Sequence, residues 1–194
     1  FHGLAHRADV GAGDWFVVHG CGGVGLSAVQ IADALGANVI GVDLMDDKLD
    51  FAEEQGAVET VNAGDVEDPA AEVRAITDGG ADVSMDALGI ETTCTNAVKS
   101  LGKTGQHVQV GLTTKEAGGN LPLPTDEMVT AEIDFLGALG MPPERYDEIF
   151  RMVATGKLDP AAIITERIGL EDVSGVLDDM TDFETVGIPV IDEF

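Results

Sequence analysis

The segment Gly20-Cys21-Gly22-Gly23-Val24-Gly25 carries a G-x-G-x-x-G frame at Gly20, Gly22 and Gly25. Each glycine answers a separate demand of phosphate binding. Gly20 permits a tight turn, Gly22 lets backbone approach a diphosphate, and Gly25 lets a helix pack closely on a strand. The frame alone is weak. It gains force from its context, because it follows the apolar run Trp15-Phe16-Val17-Val18-His19 and opens a helical pattern. Free amides at the start of that helix, at the positive end of its dipole, would receive phosphate charge. Asp43 stands at the carboxyl end of the next strand, where a carboxylate can accept hydrogen bonds from both hydroxyls of a ribose. The plain alternative is a glycine-rich turn followed by a surface Asp. Strand, turn, helix, strand and acid in that order favour a dinucleotide site.

Other reactive side chains make weaker patterns. His2 and His6 stand at i, i+4 and could share a helical face, a spacing that can hold zinc. No third and fourth ligands of suitable spacing accompany them, so a solvated helix face is preferred and no metal site is assigned. His19 and His107 lie within strands and read as hydrogen-bonded structural residues. Cys21 fits the glycine turn as a small side chain. Cys94 is distant and the two thiols lack CxxC spacing, so neither a zinc cluster nor a disulfide framework is supported. No Ser-His-Asp or paired-carboxylate arrangement can be argued from spacing.

The elements that position the glycine turn follow a βα cadence. After the first strand, Val24, Ala28, Ile31 and Leu35 recur on one helical face, and Gly36 ends that helix. Val39-Ile40-Gly41-Val42 is the second strand, and Asp46 or Asp47 can cap the following helix, which Gly56 stops. Glu59 to Asn62 is a weaker third strand. Asp68-Pro69 reads as an N-cap with Pro at the first helical position, and Gly79-Gly80 closes that helix. Asp82 to Met85 and His107 to Val110 are strands with a helix over Glu91 to Ser100 between them. A loop containing Pro122 and Pro124 leads to a sixth strand at Phe135 to Ala138, then a helix over Glu144 to Ala154. The expected fold is therefore α/β, a doubly wound, parallel, six-stranded Rossmann sheet. The tail breaks the rhythm, with strands at Ile163 to Ile168 and Gly187 to Ile191 around a helix over Leu170 to Met180.

Apolar residues make up 44% of the 194, enough for a sizeable core. Ten Lys plus Arg against 36 Asp plus Glu give a net charge of −26, which repels nucleic acid and anionic membrane. The acids are dispersed from Asp9 to Glu193 rather than clustered against a basic partner. Adaptation to a high-salt cytoplasm explains this better, since molar salt shortens the Debye length to about 3 Å. No apolar stretch reaches a membrane span, and the first residues lack a basic then apolar leader, so a soluble cytoplasmic protein is expected.

Ala12-Gly13-Asp14-Trp15 through the glycine turn, then Val42-Asp43 and Asp47-Lys48, resemble the medium-chain, zinc-dependent alcohol dehydrogenase family. The likeness covers essentially the whole chain, and Gly187-Ile188-Pro189-Val190-Ile191 is similar to the family's closing strand. The resemblance implies a Rossmann coenzyme domain over residues 1–158. It also implies a segment over 159–194 that returns to a GroES-like catalytic domain absent from this chain. It places Gly20, Gly22, Gly23 and Gly25 at the cofactor phosphates, Val24 behind the nicotinamide, and Asp43 with Lys48 at the adenosine ribose. Ala87 and Leu88 should flank the adenosine side. Val110, Gly111 and Leu112 should line the nicotinamide pocket, with Ala138 and Leu139 offering backbone to its carboxamide. For the apolar positions the alternative is simple core packing. Two departures stand out. Ile188 occupies a place where many relatives carry a basic residue on the pyrophosphate. The family's catalytic zinc ligands also lie upstream of its Rossmann domain, and this sequence starts just past them.

The expected cofactor is NAD, with zinc in the parent family and its ligands absent here. The expected reaction is hydride transfer between NAD and an alcohol, polyol or sugar, with this chain alone inactive. A homodimer or higher homo-oligomer is expected through the apolar edge Phe135-Leu136-Gly137-Ala138-Leu139-Gly140. Two alternatives are a zinc-free NADPH quinone or enone reductase of the same fold, which Asp43 disfavours, and a non-catalytic NAD(H)-sensing module.

Overall fold

In the computed structural model, described over residues 1–115, 117–181 and 183–193, the apolar run Trp15–His19 is strand β1. Every residue of it after Trp15 is buried. Alternate side chains of a strand point to opposite faces, and here both faces are covered. Phe16 and Val18 join one core cluster with Leu26, Val29 and Leu49, while Val17 joins another with Ile40 and Val73. A strand buried on both sides reads as a continuous apolar run, which is why β1 was legible.

Five further strands pair in parallel with it: β2 (Asn38–Asp43), β3 (Glu59–Asn62), β4 (Ala81–Asp86), β5 (Leu101–Gln109) and β6 (Asp134–Gly137). Their order is β3-β2-β1-β4-β5-β6. The chain winds outward from β1 to β3, then returns to β4 on the other side of β1. Loops leaving β1 and β4 therefore diverge at their carboxyl ends, where such sheets leave a crevice.

The helices are α1 (Gly23–Leu35), α2 (Asp46–Glu54), α3 (Pro69–Ile76), α4 (Glu91–Lys99), α5 (Thr125–Ala131), α6 (Tyr146–Ala154) and α7 (Val173–Thr181). Gly36 caps α1 in the left-handed conformation, φ 93°. The Asp68 carboxylate accepts from the Ala71 amide at 3.1 Å and starts α3 ahead of Pro69. At α2 the expected cap differs. Met45 occupies the N-cap without a side-chain bond, and Asp46 and Asp47 lie inside the first turn. There they favour the helix dipole rather than cap it. Helix α5 lies in what the sequence presented as a proline loop. It has seven residues and buries none of them, so it carries no apolar stripe to detect.

The tail forms β7 (Ile164–Gly169) and β8 (Ile188–Glu193), a separate two-stranded parallel sheet. Leu158 and Ile163 bury into the same cluster as β1, and Ile188 packs against it. Among the described residues no helix is long and apolar enough to cross a membrane.

Candidate functional site

The glycine turn joins β1 to α1 at the crevice, and its glycines stand in different surroundings. Gly20 has φ 96°, and its amide donates to the Val42 carbonyl at 2.8 Å. A Cβ on Gly25 would fall 1.8 Å from the Gly20 carbonyl oxygen, so the helix can lie this close to the turn only without a side chain. A Cβ on Gly23 would meet Ile188 Cγ1 at 2.9 Å. Gly22 faces open space. Among the described residues nothing comes within 4 Å of where its Cβ would stand, and no side chain caps the α1 amides. These amides are the groups a phosphate would fill.

Asp43 has a second role that its position in the sequence did not reveal. Its Oδ2 accepts the Cys21 amide at 2.7 Å, and its Oδ1 accepts the Leu44 and Met45 amides at 2.8 and 3.3 Å. The carboxylate thus ties the glycine turn to the end of β2. Each carboxylate oxygen can take about two hydrogen bonds, so Oδ2 retains capacity for a ribose hydroxyl.

Two clefts open on either side of the turn. One, of about 740 Å³, is lined by Gly22, Gly23, Val24, Val110, Ala138 and Ile188 among others. The second, of about 1010 Å³, is lined by Gly20, Asp43, Leu88 and residues of the β3–α3 loop. Both are of the size that encloses organic ligands. Lys48 and Phe183 line both. Lys48 is buried, and its Nζ donates to the Phe183 carbonyl. Of the expected residues, Val24, Val110 and Ala138 line the first cleft and Asp43 and Leu88 the second, while others stand elsewhere. Ala87 packs against the core, and Gly111 crosses Gly89 so closely that its Cβ would lie 2.2 Å from the Gly89 nitrogen. Leu112 and Leu139 are 79% and 84% exposed. None of these four lines either cleft.

Sequence reasoning missed Asp86, at the end of β4. It is fully buried and accepts from the Leu88 and Gly89 amides, the Thr93 hydroxyl at 2.8 Å and Gln109 Nε2 at 2.7 Å. It fixes the loop that carries Leu88 over Gly20. An acid closing an apolar strand was the available signal. Phe183 and Thr185 had none, because the tail reaches the cleft only through long-range folding.

Burial raises the Cys21 thiol well above its ordinary pKa, reinforced by Asp43, and burial beside Asp86 raises Cys94 to about 11. Neither is a thiolate at neutral pH. His2 precedes the π-helical turn Gly3–Arg7 and His6 lies within it, their Nδ1 atoms 3.3 Å apart, and His6 Nε2 donates to Glu148 at 2.7 Å. Among the described residues no group of three or more His, Cys, Asp or Glu is placed to hold a metal ion. These side chains therefore do not fit a catalytic zinc.

A model of the zinc-binding dehydrogenase family matches residues 23–155. The chain belongs to that family. The NAD-dependent alcohol dehydrogenase of Saccharolobus solfataricus is 36% identical over 177 residues, which are 90% of this chain and 49% of that protein. The alcohol dehydrogenase of Geobacillus stearothermophilus is 32% identical over 168 residues, 87% of this chain and 47% of its own. Among solved structures, benzyl alcohol dehydrogenase from Acinetobacter calcoaceticus superposes with a TM-score of 0.85 at 26% identity, over 96% of this chain and 51% of that one. The alcohol dehydrogenase of Aeropyrum pernix gives 0.81 at 28% identity, over 94% and 51%. The chain spans about half the length of the curated relatives it matches.

Proposed function

We propose that this chain holds NAD(H) for an oxidoreductase that moves hydride between NAD and an alcohol, polyol or sugar. The observation that carries this reading is the uncapped glycine turn standing between two clefts, with Asp43 on one side and Val24 on the other. Bound NAD would supply the hydride acceptor. The protein's own part is to bind and orient. The amides at the start of α1 take the diphosphate, Asp43 and Lys48 face the adenosine ribose, and Val24 backs the nicotinamide within walls formed by Val110 and Ala138. The function assigned to this chain by itself is cofactor binding, with turnover left to the whole protein.

NAD is preferred over NADP because the extra 2′-phosphate would approach Asp43. Two unit charges 4 Å apart repel by about 4 kcal/mol at an effective dielectric of 20. Solvent reduces this, yet even about 1.4 kcal/mol is tenfold in affinity. Fluorescence titration with NADH and NADPH should give at least about tenfold tighter NADH binding, with no oxidation of a panel of alcohols. Equal or tighter NADPH binding overturns the preference, and turnover by this chain overturns the assigned role. We also propose that a second copy pairs across β6, the sheet's edge, where Leu139 is exposed.

A further inference from the structure

Phe183, Thr185 and Gly187, ahead of β8, line the cleft that holds Val24, and the stretch from Phe183 to Ile188 is held from several directions. The Phe183 and Glu184 amides bond back to Met180 and Asp179, at 3.3 and 3.0 Å. The Thr165 hydroxyl donates to the Val186 carbonyl at 2.7 Å, and the Ile188 amide donates to Ile163 at 2.8 Å. Lys48 reaches across from α2 to the Phe183 carbonyl. Thr185 is pinned between these anchors.

Its Oγ1 is buried and has no hydrogen-bond partner among the described residues. Buried hydroxyls without partners are rare and unfavourable, and each calls for an explanation. Thr185 lines the 740 Å³ cleft and, on its other side, a hollow of about 300 Å³. Glu166, Asp179 and Glu184 line that hollow, and their charge repels phosphate. The cleft instead offers the Gly22 and Gly23 backbone and Lys48.

Resting on the dinucleotide reading above, we infer that Thr185 is a further cofactor-binding residue, its hydroxyl donating to the ribose-phosphate on the nicotinamide half of the bound dinucleotide. Ile188 packs on Gly23 and cannot bond a phosphate. Thr185 brings a polar donor to the same wall from a nearby position on the return loop. The unpaired hydroxyl is then the empty half of a bond completed by ligand.

The isosteric change Thr185→Val tests this, with NADH, ADP-ribose and AMP as probes. A hydrogen bond of ordinary strength corresponds to a loss of up to about tenfold. Thr185→Val should weaken NADH by that factor and leave AMP unchanged, with a melting temperature equal to or above that of the parent. Thr185→Ser should restore NADH binding. Weakening of ADP-ribose as well assigns the bond to the phosphates or their distal ribose, and its sparing assigns it to groups that need the nicotinamide in place. NADH binding by Thr185→Val equal to the parent's overturns the assignment, as does an equal loss for AMP. Failure of the parent itself to bind NADH overturns the dinucleotide reading and the assignment together.

Discussion

The two clefts beside the glycine turn are assembled in different ways. Apart from Phe183, the cleft holding Asp43 is lined by the segments that follow β1, β2, β3 and β4, taken in chain order. The cleft holding Val24 collects Phe1 to Leu4, α1, the ends of β4, β5 and β6, α6 and the loop before β8. Burial divides the molecule the same way. Strands β1, β2 and β4 are almost wholly buried, whereas α5 and α6 bury no residue and Leu112 and Leu139 stand exposed. The side holding Asp43 is thus built on the core strands themselves. The side holding Val24 depends on long-range closure and leaves apolar side chains such as Leu112 and Leu139 exposed.

The turn between them gives the largest expected effect. Gly25→Ala drives a methyl group into the Gly20 carbonyl and should cost about 3 kcal/mol, lowering the melting temperature by roughly 6–12 °C and abolishing NADH binding. Gly22→Ala adds its methyl to open space. It should keep the melting temperature and still lose NADH affinity by about tenfold or more, because the methyl stands where phosphate approaches. Equal stability losses in the two variants would mean that the glycines serve the fold alone.

This division also explains what could be read in advance. β1, β2, the Gly36 cap and the Asp68-Pro69 start announce themselves within a few residues, because burial on both faces and cap chemistry are local. The doubly wound parallel sheet, the glycine turn after β1 and Asp43 at the end of β2 followed from them. The tie from Asp43 to Cys21, the lattice around Asp86 and the approach of Thr185 join residues distant in sequence. No periodicity encodes such contacts. α5 was missed for the opposite reason, since a helix that buries nothing leaves no stripe.

A smaller effect should separate the halves by assembly. If the exposed side holding Val24 meets a second copy across β6, light scattering in molar KCl should give a dimer. At that salt the −26 charge is screened over about 3 Å. Leu139→Glu places a charge on an 84% exposed apolar position and should yield monomer while leaving AMP binding, which is proposed for the other cleft, intact. A monomeric parent removes the second copy from the account of that surface.

The smallest effect concerns the buried polar file of the sheet. His19 Nε2 lies 3.2 Å from Ser100 Oγ, whose own proton goes to the Asn96 carbonyl at 2.7 Å, so the imidazole is the donor. His107 accepts from Ser84 at Nδ1 and donates from Nε2 to Gln109 Oε1, at 2.9 and 3.0 Å. Both rings are set as neutral tautomers. Burial pulls His19 down to about 3, with neighbouring His107 lowering it further against the opposing pull of Asp86, and burial also lowers His107. A lowered folded pKa means that the unfolded chain binds more protons between pH 6.5 and about 3, so stability is lost as the pH drops through that window. One such group contributes about 1.4 kcal/mol per pH unit, or about 2 kcal/mol by pH 5. His19→Gln keeps a donor for Ser100 but cannot titrate. Measured by urea unfolding in molar KCl, it should be about 1 kcal/mol less stable than the parent at pH 7.5. The gap should close or reverse by pH 5. A gap that stays constant between those pH values would show that the imidazole is not held neutral, and would remove the acid sensitivity assigned to the self-contained half.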